Sequence, residues 1–309
     1  MPGESGAMPA RESYARLSGA SQRRFEALCR IRGLLRTTHR QALDGTAHAL
    51  RPGAMDPAIP ARHLLYLDLS GREPLAAVAV GDLDTATHVT FQLSGTGIRA
   101  RNALWGTVRE AGQLYLEQRK VGIAEPAVVA WLGYPAPNLA SALLNNAARR
   151  GLHRLGQDLG TFARLRPDAP HLALEAHSYA AALAAQVLDP ASGYAVRAQA
   201  LATIGSAGIP RHLSRGPGRL NVPPQNIYEA IAPGDRLAWF GRAISGRKML
   251  SGHGFSVGGI PELGLHAATG HNTSQHLPGD PGSPRGYRDP ETLCLRNLAL
   301  ITTGQQPLA

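Results

Sequence analysis

Aromatic residues are scarce in this chain, at 5% of 309 positions, and lysine is scarcer still: of 32 basic side chains only Lys120 and Lys248 are lysines. An interior so poor in aromatics has to be built from Leu, Val, Ile and Ala. Cysteine is limited to Cys29 and Cys294, which excludes a disulfide framework and reads as two free thiols. No H-E-x-x-H and no close Cys/His pairing occurs, so no metal is expected. No apolar run reaches the length of a membrane span. The first residues, MPGESGAMPARES, offer acidic and small side chains in place of a leader's basic start and apolar run, and a cytoplasmic protein is expected.

Acidic residues are outnumbered, 22 against 32, for a net charge of +10. Such a charge raises nucleic acid or an anionic surface as partner. Here the charge is spread along the chain, without a basic-aromatic module or zinc-finger spacing, and nucleic acid is not expected. The densest stretch, Arg23 to Arg40, reads as the solvated face of an N-terminal helix.

The length suits one large α/β domain. Residues 1–60 read as an Arg-rich helical extension, with Phe25, Leu28, Ile31, Leu34 and Leu35 at helical spacing, followed by the linker RPGAMDPAIP. The main domain is expected over 61–309. HLLYLDL and LAAVAVG, split by SGREP, suit a hairpin, and HVTFQL follows. Helix and strand then alternate: helix from about Asn102 to Lys120, strand AVVAWLG, helix from about Leu139 to Leu165, strand HLALEA, helix from about Tyr179 to Leu188. Further strands are expected at ALATIG, NIYEAIA and Glu262–Ala267. A closing helix after Asp289 and Pro290 has Leu293, Leu298 and Ile301 on its apolar side. That alternation is the pattern of a mostly parallel sheet flanked by helices. Two Gly/Pro-rich segments, 205–224 and 252–286, are long enough to line or cover a site.

The most informative stretch is HLALEAHSYAAALAAQVL. An apolar strand runs into Ala176-His177-Ser178-Tyr179-Ala180 and at once into an Ala-rich helix. A nucleophile elbow puts a serine on such a strained strand-to-helix turn and needs small residues two before and two after it. Both are Ala here, where G-x-S-x-G has Gly. Ser178 is thus the candidate nucleophile of an α/β-hydrolase fold. The Tyr179 N–H, at a helix start, can donate to a developing oxyanion. The second donor should come from the loop after HVTFQL, at Thr96 or Gly97.

Gly95-Thr96-Gly97-Ile98-Arg99-Ala100 also fits the dinucleotide pattern G-x-G-x-x-A. That pattern requires an acidic residue ending the next strand, and AVVAWLGYPAP has none, so no cofactor is expected. The fold dictates the order Ser, then Asp or Glu, then His. Asp235, in the turn Pro233-Gly234-Asp235 after NIYEAIA, is placed to be the acid. The base comes from His253, His266, His271 or His276; His271, before the terminal helix, is preferred and His276 is the alternative. His177 adjoins the nucleophile but points elsewhere and is expected to pack beside the sheet. This triad implies a serine esterase or lipase-like hydrolase acting on a small acyl substrate through an acyl-enzyme.

The blocks LLYLDLSGREPLAAVAVGDLDTATHVTFQLSGTG, VVAWLGYPAP, the elbow, GSAG, APGD and DPETLCLRNLALITTG resemble a domain-of-unknown-function group of bacterial α/β-hydrolases. The resemblance covers about residues 63–304 and implies that fold, with Ser178 as nucleophile and Asp235 as acid. Two departures stand out: Ala176 and Ala180 replace glycines, and the family's histidine motif before Tyr-x-Asp-Pro aligns with Ser283-Pro284-Arg285-Gly286, which holds no histidine. Either the base has moved upstream to His271 or His276, or the chain is a non-catalytic hydrolase-fold protein that binds a ligand or partner.

Overall fold

The computed structural model describes residues 12–136, 146–250, 252–277, 280 and 282–309. Eight strands form one sheet: β1 (Arg62–Asp68), β2 (Leu75–Val80), β3 (His88–Leu93), β4 (Pro126–Leu132), β5 (His171–His177), β6 (Ala200–Ile204), β7 (Ile227–Ala230) and β8 (His253–Gly254). Their order across the sheet is β1-β2-β4-β3-β5-β6-β7-β8. The hairpin β1–β2 and the β2–β4 pair are antiparallel; every pairing from β4 through β3 to β8 is parallel. The central parallel strands β4 and β6 are buried at every position, as strands covered on both faces must be.

Alternate residues of the central strands feed two apolar layers. On one side Phe91, Val129, Trp131 and Leu174 pack with α4 (Asn146–Leu165) and α5 (Ala180–Val187). On the other, Val78, Val128 and Ala130 pack with Leu104 of α3 (Ala100–Lys120) and Leu298 of α7 (Leu293–Thr302). The start expected for α4 at Leu139 lies outside the described residues. Six Ala and Leu residues plus Val187 bury α5 on nearly every side, because methyl-sized side chains let that helix lie close to the sheet.

Two helices precede the sheet, α1 (Tyr14–Arg30) and α2 (Thr37–Leu50). Asp84, between β2 and β3, accepts hydrogen bonds from the Tyr14 and Ala15 amides (2.7 and 2.8 Å), tying the exposed N–H groups of α1 to the sheet. The helical stripe read through Leu35 stops early. α1 ends at Arg30, and Ile31 and Leu34, in and beside a single 3-10 turn, are 46% and 86% exposed.

The strand expected over Glu262–Ala267 is absent. Pro261 opens a 3-10 turn, Gly264 adopts φ 65°, and the chain doubles back so that Leu265 bridges Ile260. A proline and a left-handed glycine three residues apart make a turn where apolar alternation suggested a strand. The helix α6 (Arg236–Ser245) and the two-residue β8 were not expected.

Chain direction across the sheet reverses between β3 and β5: β3 leads through α3 back to β4, while β5 leads outward to β6. The ends of β3 and β5 therefore border a crevice at the carboxyl edge of the sheet, where open α/β folds bind ligands. Leu298 is fully buried in the layer beneath that edge. Leu298→Ala should cost about 2–5 kcal/mol, read as a lower urea midpoint with an unchanged slope.

Candidate active site

Ser178 follows β5 directly and has φ 56°, the left-handed region that costs a non-glycine residue about 1–3 kcal/mol. The turn is held from both sides. Its amide donates to Ile204 O (3.0 Å) on β6, and its carbonyl accepts from the Ala181 amide (3.1 Å) of α5. Ala176 and Ala180 are both fully buried. In the loop after β3, a Cβ on Gly95 would lie 2.8 Å from both His177 O and Ser178 Cβ, so only glycine lets that loop approach the serine.

Asp235 comes from the far side of the crevice, after β7, and is fully buried. It caps α6, accepting from the Ala238 amide (2.9 Å) with Oδ1. α6 is itself fastened to the sheet by a buried pair between Arg242 and Glu229 of β7, with Arg242 Nε also donating to Ser206 O (2.9 Å). Gly205, at φ 52°, leaves room for the carboxylate; a Cβ there would sit 2.8 Å from Asp235 Oδ2.

His271 bridges the two. Its Nδ1 lies 2.8 and 3.0 Å from Asp235 Oδ1 and Oδ2, and its Nε2 lies 3.0 Å from Ser178 Oγ. A carboxylate can only accept, so the neutral ring carries its proton on Nδ1 and offers Nε2 as acceptor to the serine hydroxyl. Burial pushes the Asp235 acid up, but the hydrogen bonds from His271, the Ala238 amide and Tyr287 outweigh it and hold the group below the ordinary aspartate value. The carboxylate therefore stays ionised.

No helix or strand carries His271; neighbouring groups grip its loop. His177 Nε2 donates to the His271 carbonyl (2.8 Å). Burial, then the nearby His271 and Arg288, keep the His177 pKa well below the usual imidazole range, so it is a neutral donor. The segment Tyr287-Arg288-Asp289 does the rest. Tyr287 donates its hydroxyl to Asp235 Oδ2 (2.8 Å) while accepting from the Ala232 amide (2.8 Å). Its own amide and that of Arg288 donate to the Asn272 and Thr273 carbonyls (3.1 and 2.7 Å). Asp289 accepts from the Ser274 hydroxyl and from the Gln275, His276 and Gly286 amides, all within 2.9 Å. Arg288 is buried between Glu110 (2.8 Å) and Glu175 (2.6 Å), and Glu110 also accepts from the Thr273 hydroxyl (2.7 Å). Sequence reasoning did not reach these supports. The Tyr-x-Asp-Pro block was the signal that pointed to them.

The other histidines lie elsewhere. His276 turns its Nδ1 to the Ser283 hydroxyl (2.7 Å), the His253 ring packs on Tyr228, and His266 is exposed, its backbone bridging Thr292. Tyr179 caps α5 and is buried. Thr96 lines a cavity with His177 and His271, whereas Gly97, at φ 78°, faces open space. Cys29 and Cys294 are both free, one exposed and one buried. Among the described residues no cluster of three or more His, Cys, Asp or Glu could hold a metal, and no helix is long and apolar enough to cross a membrane.

A family model described as alpha/beta hydrolase matches residues 70–242, more than half of the chain. The chain belongs to the alpha/beta hydrolase family. This hydrolase is 31% identical over 196 residues to uncharacterized proteins of Mycobacterium bovis and Mycobacterium tuberculosis, an overlap of 59% of this chain and 70% of theirs. Among solved structures it is similar to an arylesterase (13% identity, TM-score 0.47, covering 91% of this chain and 98% of that one). It is similar also to a dienelactone hydrolase from Anabaena variabilis (14%, TM-score 0.40, 79% and 96%).

Two measurements probe the supports of the hydrolase site. Tyr287→Phe strands the buried Ala232 amide and removes a donor to Asp235, and should lower stability by about 1–3 kcal/mol in urea. Burial pushes Glu175 up to about 7 against the pull of Arg288. A carboxyl raised in the folded state binds its proton more tightly there than in the unfolded chain. Its contribution to stability is therefore largest at low pH and declines as pH rises from the ordinary glutamate value, 4.5, through about 7. Glu175→Gln should remove that part of the slope in pH-dependent urea titrations.

Proposed function

We propose that the protein is a serine hydrolase, esterase-like in chemistry, that cleaves an acyl ester through an acyl-enzyme. In this reading residues 61–309 form the hydrolase domain, with the N-terminal helices an extension laid against it. Ser178 is the nucleophile, His271 the general base and Asp235 the acid that orients the imidazole. The observation that carries the proposal is the unbroken chain from the Ser178 hydroxyl through His271 Nε2 and Nδ1 to Asp235 (3.0, 2.8 and 3.0 Å), on a backbone strained at φ 56°. Such a chain lets the ring take the serine proton as Oγ attacks the ester carbonyl, while the ionised Asp235 stabilises the imidazolium. The ring then gives the proton to the departing alkoxide. Water enters, loses a proton to the same nitrogen and releases the acyl group.

The oxyanion formed in each addition needs N–H donors. The Tyr179 amide qualifies, because helix geometry leaves the first N–H groups of α5 unpaired. The second donor is the Thr96 or Gly97 amide, in the loop that Gly95 brings against Ser178. Each well-placed donor contributes about 3–4 kcal/mol.

A fluorophosphonate probe reads the proposal directly. The wild-type protein should be labelled, and Ser178→Ala should not. His271→Ala should fold normally yet lose turnover of p-nitrophenyl esters by about a thousandfold or more. A folded wild-type protein that resists the probe would point to the non-catalytic ligand-binding alternative instead.

A further inference from the structure

A cavity of about 490 Å³ opens beside the proposed base, running from Thr96 and His271 along α3 towards Gly45 of α2. Its α3 wall carries three charged side chains, and two of them are matched. Arg101 bonds Glu73 (2.9 Å), and Glu110 bonds Arg288 (2.8 Å). Arg109 is different: among the described residues no carboxylate lies within 4 Å of its guanidinium.

Arg109 is nevertheless held in place. Its guanidinium lies 5.3 Å from the centroid of the Trp105 ring, which also lines the cavity, and it donates to the Ser274 hydroxyl. Stacking on an indole and a fixed hydrogen bond together remove much of the freedom an arginine otherwise loses on binding a ligand. Its remaining N–H groups suit the paired oxygens of a carboxylate. A half-buried cation with no carboxylate in direct contact among the described residues, linked to Asp289 only through the Ser274 hydroxyl (2.9 Å), in a cavity that reaches the proposed base, is what a negatively charged substrate requires.

We propose that the cavity binds the free carboxylate of a half ester of a dicarboxylic acid, with Arg109 holding that carboxylate while the ester carbonyl lies at Ser178. The inference rests on the serine-hydrolase reading and adds a substrate class to it. The alcohol leaves as the first product, carrying the proton taken from Ser178. Water then cleaves the acyl-enzyme, and the second product is the dicarboxylate with one proton released.

The test compares monoethyl esters of succinic through suberic acid with the matching monoamide esters, which have the same shape but no charge. At one or more chain lengths the wild-type kcat/KM should favour the acid by about tenfold or more. Arg109→Gln should bring the ratio of acid to amide to about one, and Arg109→Lys should restore part of it. An arginine that merely braces the His271 loop would lower both rates together and leave the ratio alone.

Calorimetry with Ser178→Ala separates the two readings. If no ester is turned over, yet this variant binds the acid more tightly than the amide and loses that preference with Arg109→Gln, the subsite stands and the hydrolase proposal falls. Equal use of acid and amide at every length, with equal binding, overturns the subsite.

Discussion

The backbone at Ser178 is held in a conformation that an isolated serine avoids, and the rest of the site is arranged around keeping it there. A φ of 56° turns β5 into α5 within one residue and lifts the hydroxyl clear of the sheet. The turn survives because β6 and α5 take its amide and carbonyl, and because everything pressed against it is small: Ala176, Ala180 and Gly95. Gly95 links this local strain to the topology. The β3 loop meets the elbow only because chain direction reverses between β3 and β5, so the loop proposed to bind the oxyanion is delivered by the same reversal that opens the crevice.

The proposed base is positioned by a different principle. Where strand and helix ends place Ser178 and Asp235, His271 sits in a long loop with its conformation set by hydrogen bonds to 285–289. The Thr269 amide donates to the Arg285 carbonyl and the Tyr287 amide to the Asn272 carbonyl, so the two segments lie side by side. Under the proposed triad, this pairing accounts for a base that lies outside Ser283-Pro284-Arg285-Gly286, which holds no histidine. The ring is presented from the segment that runs beside residues 285–288, one backbone away from them. What has to persist is the docking platform. Tyr287, Arg288 and Asp289 supply it by reaching respectively to Asp235, to a buried pair of glutamates and to the loop amides.

Much of this was legible in the residues. Period-two and continuous apolar runs marked β1 through β7, and the abrupt passage from HLALEA to an Ala-rich helix marked the turn at Ser178. Asp235 was legible because Pro-Gly-Asp after a strand puts a carboxylate at the sheet edge. The failures share a cause. Residues 262–267 alternate like a strand, but Pro261 and Gly264 impose a local turn that outweighs the pattern. The choice among His253, His266, His271 and His276 depended on contacts between segments far apart in sequence. The helix α6 was hidden because its exposed face is apolar: Leu237, Trp239 and Phe240 are about half exposed, so no polar face signalled a surface helix. Glu110, Glu175 and Arg288 gave no sign of pairing, since charged residues are ordinarily expected at the surface.

The preference for arginine over lysine has a structural reading that composition alone did not suggest. Arg166 donates to the Leu83 and Ala86 carbonyls as well as to Asp168, Arg62 to the Ala49 and Arg51 carbonyls, and Arg99 to the Ala136 carbonyl. Arg166 and Arg62 each use a planar fork to satisfy two or more fixed acceptors at once, which a single ammonium cannot do as economically. Arg242 and Arg288 extend the same use into the interior. Part of the +10 charge therefore ties loops and strand ends together. Arg109 departs from that pattern. It braces a serine hydroxyl and an indole but meets no backbone carbonyl and no carboxylate among the described residues, and it does so on the wall of the cavity beside His271. Arg242 and Arg288, buried as they are, each answer a carboxylate; Arg109 answers none among the described residues and keeps donors to spare beside the proposed base, the local charge that the proposed anionic substrate needs.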